Sequence, residues 1–127
     1  MYTSMNRSAA NAYRQVGVQS VVDGASPHML IQMLFDALET SLNAAKGAMQ
    51  RGDIEEKGRQ IGKAVRILEE GLKASLNLNQ GGEVAQNLAS LYDYSITQIT
   101  LANLRNDSSL LESAQTVIAP VAQGWRE

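Results

Sequence analysis

Residues 81–107 read GGEVAQNLASLYDYSITQITLANLRND. Two glycines end one helical pattern, and the next runs for about 24 residues until Asn106-Asp107 stops it. Val84, Leu88, Leu91, Ile99 and Ala102 recur at helical spacing and form one apolar stripe. Tyr94 and Leu101 fall about 80–100° away from that stripe, and Leu104 lies further round. A surface helix needs only one apolar face against its own core. The second face implies that something else packs there.

The same logic extends in both directions. Ser26-Pro27 is a strong helix start, with Ser as N-cap and Pro at the first helical position. Ile31, Leu34, Phe35, Leu38, Leu42, Ala45 and Met49 form the stripe that follows, and Arg51-Gly52-Asp53 ends it. Asp53 caps the next helix, with Glu56 three residues on completing a capping-box pattern. Its stripe reads Ile54, Ile61, Val65, Leu68 and Leu72, which leaves Ile67 and Ala74 off the stripe. Gly58, Gly62 and Gly71 cost roughly 1 kcal/mol each in a helix interior, so close approach of neighbouring helices is expected there. The last helix starts near Ser108-Ser109 with Glu112 in its first turn, and runs through Leu111, Ala114, Val117, Ile118, Val121 and Trp125. Pro120 removes a donor inside it and predicts a kink about one turn before Trp125.

Long helices joined by short turns must run antiparallel. The expected fold is all-α, an up-down-up-down four-helix bundle over residues 27–127. Residues 1–26 are expected to be a flexible N-terminal segment, polar and disordered over 1–8, with a short helix from Ala9 to about Gln19 laid over the bundle. Val21 to Ala25 reads as an extended connector.

Composition narrows the function classes. At 127 residues the chain makes one domain large enough to bury a core. It has no Cys, which excludes disulfides, thiolate chemistry and Cys-based zinc sites. A net charge of −2 argues against nucleic acid, which favours a basic face. No run approaches the ~18 consecutive apolar residues of a membrane span, and MYTSMNRSAANAYRQ lacks an apolar signal core. A cytoplasmic protein without membrane insertion is expected.

Catalytic chemistry finds little support. The single histidine, His28, sits in the first turn of its helix and is expected to be solvated or capping. One histidine cannot supply the paired Glu-x-x-His motifs of a bundle metal site. Asp36 with Glu39, Glu55-Glu56 and Glu69-Glu70 read as solvated faces, and Gly81-Gly82 ahead of Glu83 reads as a turn rather than a phosphate cradle. No enzyme activity, cofactor or metal is expected.

Surfaces remain. Met29, Met33, Ala37 and Ala44 lie roughly opposite the main stripe of the first helix. A wide core and cover by the N-terminal segment account for part of this apolar surplus; grooves for an amphipathic helix of another chain account for the rest. Methionines and small residues suit a surface that accepts varied side chains. Tyr13 and Val16 can plug such a groove until a partner competes. Asn103 and Asp107 either contact the partner's backbone or cap helix ends.

The residues also carry a family resemblance. Ala12-Tyr13 with Val16, Ser26-Pro27 leading to Leu30-Ile31-x-Met33-Leu34-Phe35-Asp36, Gly52-Asp53-Ile54, Lys63-Ala64, Ile67-Leu68, Leu72, Leu76 and Gly81-Gly82-Glu83 are its first parts. Asn87-Leu88, Leu91-Tyr92-Asp93-Tyr94, Ala102-Asn103, Asn106-Asp107 and Trp125 complete it. In order and spacing the chain resembles the FliS family of flagellar secretion chaperones over nearly its whole length. Phe35, where Tyr is common, and Pro120 depart modestly from that pattern. The resemblance implies a cytoplasmic bundle that binds the disordered C-terminal segment of flagellin. It further implies that the bundle blocks premature polymerisation and aids delivery to the type III export apparatus, with an export-gate component as a further partner. Tyr13, Val16, Ile67, Tyr94, Leu101, Asn103, Leu104 and Asp107 are the residues assigned to flagellin. A general helical adaptor for another secreted or assembling protein is the alternative.

Overall fold

The computed structural model describes residues 9–11, 25–77 and 81–126. Expectations for residues 1–8, for Tyr13 and Val16, and for the connector before Ala25 lie outside them. Residues 9–11 are helical, and within residues 25–126 four helices follow one another. They are α1 (Pro27–Arg51), α2 (Ile54–Arg66, continued by a π-helical stretch Ile67–Lys73), α3 (Gly82–Arg105) and α4 (Ser108–Arg126). The main neighbour pairs are α1 with α2, α2 with α3, α3 with α4 and α4 with α1, so α1 and α3 are diagonal across the bundle. No strand occurs among the described residues. The all-α bundle is as expected.

Local signals place the helix ends. Ser26 Oγ accepts from the Met29 N–H at 3.1 Å, and Gly52 closes α1 at φ 72° with its N–H directed to the Ala48 and Met49 carbonyls. Asp53 Oδ1 accepts from the Glu56 N–H at 3.1 Å. The reciprocal half of the capping box is not made, because the Asp53 N–H goes to the Ala48 carbonyl and the Glu56 carboxylate takes Gln60 and Arg59. Those two hydrogen bonds, Gln60 first, hold the Glu56 carboxyl below its ordinary pKa. Asn106 ends α3 in the left-handed conformation, φ 51°, as the Asn-Asp stop predicts. Gly81 and Gly82 make the turn before α3. A Cβ on Gly81 would lie 2.7 Å from the Asn77 carbonyl oxygen, and Gly82 has φ 58°.

The α1 stripe packs inward as read, with Leu30, Ser41 and Ala48 added to it. On α2, Ile61, Leu68 and Leu72 are buried as expected and Val65 is half-buried, but the buried face is rotated from the expected stripe. Ile54 is 76% exposed, whereas Lys57, Gln60, Ile61, Ala64, Ile67, Leu68, Gly71 and Leu72 are buried. Ile67 is thus core, which corrects its assignment to the partner face. The physical reason is the rotation of α2 about its own axis, which turns the side carrying Lys57, Gln60 and Ala64 inward. Ile67 stands three residues after Ala64 and seven after Gln60 on that side, and the π-helical stretch carries the face on through Leu68, Gly71 and Leu72 while Glu69 and Glu70 stay outside. Gly58 and Gly62 meet nothing within 4 Å of a built Cβ, so close helix approach does not explain them.

On α3 the buried residues are Ala85, Tyr92, Ser95, Ile99 and Ala102. Leu88 and Leu91 pack at the core's edge, and Val84, expected inside, is 69% exposed. Ser95 is admitted to the core because its Oγ donates to the Leu91 carbonyl at 2.9 Å. Tyr92 is only 3% exposed, and burial pushes its phenol pKa up to about 12. A raised acid pKa contributes stability that is whole below the unfolded value near 10 and is lost as pH rises through 12. Between pH 10 and 12 the protein should therefore lose on the order of 2–3 kcal/mol in denaturant titrations, and Tyr92→Phe should flatten that loss.

Helix α4 continues through the exposed Pro120 to Arg126. Glu112 falls beyond the first turn, where it instead pairs with Lys46 of α1 at 3.9 Å. Trp125 is half-buried and fastens this end to the start of α1. Its Nε1 donates to the His28 carbonyl at 2.9 Å, and the His28 ring stacks on the indole at a centroid distance of 5.0 Å. His28 is exposed, as expected, but its ring belongs to this clasp. Ala9 and Ala10 are buried in the same core as the four helices, so this part of the N-terminal segment is seated on the bundle.

Candidate functional site

Tyr94, Leu101 and Leu104 share the outward side of α3, seven and three residues apart. Tyr94 is 46% exposed and Leu104 79%, while Leu101 is half-buried. Asn87, Ser90, Thr97 and Gln98 surround them, giving apolar anchors in a polar frame. The Tyr94 hydroxyl accepts from Gln98 Nε2 at 3.3 Å and keeps its own proton to donate. Tyr94 and Leu104 stand ~15 Å apart along the helix axis.

The remaining assigned residues are distributed differently. The Asn103 side chain is exposed near the end of α3, and its carbonyl accepts from Lys57 Nζ at 3.3 Å. Asp107 caps α4: its Oδ1 accepts from the Ser109 N–H at 3.0 Å and from Ser109 Oγ at 2.6 Å. The Ser109 hydroxyl, then its N–H, lower the Asp107 pKa. Of the two roles open to Asp107, the capping one is occupied. Ile67 lies in the core, and Tyr13 and Val16 fall outside the described residues.

A second surface, with apolar residues set among polar ones, lies on the far side of the bundle. Met33, Ala37 and Ala44 of α1 line an open cleft of ≈ 360 Å³ with Asp36, Thr40, Ser41, Gln60 and Lys63, at the seam with α2. Met29, 47% exposed, lies one turn before Met33 on α1. A small apolar cavity of ≈ 80 Å³ separates Phe35, Leu38 and Leu42 of α1 from Ile118, Ala119 and Ala122 of α4. It has room for about one side chain.

Charged groups serve the scaffold. Lys73 binds Asp93 at 2.7 Å, tying α2 to α3, and this contact raises the lysine's pKa. Arg126 of α4 pairs with Asp36 of α1. Among the described residues no three His, Cys, Asp or Glu side chains converge in a way that could hold a metal. No helix there is long and apolar enough to cross a membrane.

What this arrangement offers is exposed apolar side chains within polar surroundings on two sides of a helical bundle. Residues 9–127 match the family described as flagellar protein FliS. The chain belongs to the FliS family. It is 43% identical to the flagellar secretion chaperone FliS of Salmonella typhimurium over 127 residues, covering all of this chain and 92% of that protein. It is also 43% identical to FliSB of Pseudomonas aeruginosa over 117 residues, 92% of each chain. The Vibrio cholerae FliS is 39% identical over 119 residues, which are 94% of this chain and 87% of that one. FliS proteins are secretion chaperones and not enzymes, in keeping with the capping and scaffolding roles of the carboxylates and His28.

Tyr92, named above only within the family resemblance, and Lys57 are two residues whose burial the apolar stripes do not predict. Tyr92 was legible from the seven-residue spacing Ala85–Tyr92–Ile99. Lys57 stands four residues before Ile61 on the inward line of α2, an unusual place for an ammonium.

Proposed function

We propose that this chain binds the disordered C-terminal segment of flagellin in the cytoplasm, keeps it from polymerising, and delivers it to the export gate. The observation that carries the reading is the pair of surfaces on diagonal helices, the apolar Tyr94–Leu101–Leu104 strip of α3 and the mixed Met33–Ala44 cleft of α1. A disordered segment loses conformational entropy on binding and offsets that loss only through a large contact area, of the order of 1,000–3,000 Å². One cavity of ≈ 80 Å³ supplies no such area. A segment wrapped from one helix to its diagonal partner does. The names of the relatives support a flagellar secretion substrate as the client.

Calorimetry with full-length flagellin and with flagellin lacking its C-terminal ~40 residues tests the reading. Binding should be measurable with the first and lost with the second. Equal affinity for both would remove the C-terminal segment as the client. Binding to neither, with capture of another secreted protein, would favour the general adaptor.

A further inference from the structure

Lys57 lies in the first turn of α2 and is only 9% exposed. A buried ammonium is costly unless its charge is compensated, yet it pairs with no carboxylate among the described residues. It meets the C-terminal end of α3 instead. Nζ donates to the Asn103 carbonyl at 3.3 Å and to Asn106 Oδ1 at 3.2 Å. The chemistry suits a cation there, because the last carbonyls of a helix lack intrahelical donors and carry partial negative charge. The N–H groups of Asn106 and Asp107 both go to the Ala102 carbonyl, which leaves the Asn103 carbonyl to the lysine. The ammonium therefore ties the first turn of α2 to two points of α3, the backbone of its last turn and the side chain of its left-handed corner. Leu104 and the Asn103 side chain project from the turn that this tie holds.

We propose that Lys57 is a positioning residue for the partner. It sets the direction in which Leu104 and the Asn103 carboxamide leave the end of α3, without touching the partner itself. This assignment rests on the client face proposed above.

A double-mutant cycle in the full-length chain tests it, read by calorimetry with a peptide of the flagellin C-terminal ~40 residues. Lys57→Met keeps the buried stem and removes the ammonium. It should weaken binding roughly fivefold, with little further loss when Leu104→Ala is added. The same substitution should multiply independently with Tyr94→Ala, which acts ~15 Å from Leu104 along α3. Full multiplication with both would mean a general structural effect and overturn the assignment. So would unchanged affinity in Lys57→Met while Leu104→Ala weakens binding. Wild-type affinity in both Leu104→Ala and Tyr94→Ala would overturn the client face itself, and the positioning role with it. Asn106→Gly carries the same cycle should Lys57→Met fail to fold. It deletes the Oδ1 acceptor at a position whose φ of 51° glycine adopts freely, and about twofold weakening with the same coupling pattern is expected.

Discussion

Ile67→Ala should lower the free energy of unfolding by about 2–5 kcal/mol, read from urea denaturation midpoints at unchanged slope. The side chain is fully buried in the π-helical stretch of α2, among Leu68, Gly71 and Leu72 of the same inward face. Truncation removes three carbons from a packed interior, and the surrounding helices relax only partly into the gap. A residue on a partner face would behave in the opposite way, with stability unchanged within about 0.5 kcal/mol. The size of the loss therefore separates the two roles that sequence and structure assign to this position.

Tyr94→Ala combined with Leu104→Asp should weaken flagellin binding about a hundredfold while leaving the unfolding midpoint nearly in place. Tyrosine at a contact centre is a frequent hot spot, and an aspartate at position 104 would place an unpaired charge against an apolar partner. Both side chains stand clear of the core, Leu104 at 79% exposure, so the bundle loses little by their removal. Calorimetry for binding and far-UV circular dichroism for the fold read the two effects separately. Collapse of the bundle in either single variant would show that the outward strip of α3 is structural, and the client face would have to lie elsewhere.

The residues that were legible from sequence share a property. Ser26, Gly52, Asp53 and Asn106 act on backbone groups within four residues of themselves, so their effect does not depend on what the rest of the chain does. The α1 stripe was legible because its large aliphatics crowd one side and leave no competing face of equal hydrophobicity. On α3, two faces compete. Val84 is the better apolar residue and Ala85 the smaller, yet Ala85 is buried and Val84 exposed. Tyr92 and Ser95 look polar by composition and are inside, one covering its ring and the other bonding its hydroxyl to its own helix.

Of the candidate site, Tyr94, Leu101 and Leu104 were readable as surplus apolar residues, since no single core face could take them all. Ile67 is misassigned by the same reasoning, because a stripe drawn through Ile54 and Val65 leaves out Gln60 and Ala64, which share its inward face. The order of the helices, their limits and the excess of apolar surface follow from local chemistry written along the chain. Which of two adjacent residues turns inward is a different kind of quantity. Rotation of a helix about its axis is set by the neighbours against which it packs, and by buried ties such as Lys57 to the end of α3. Those contacts join residues 46 and 49 positions apart, and no local pattern encodes them.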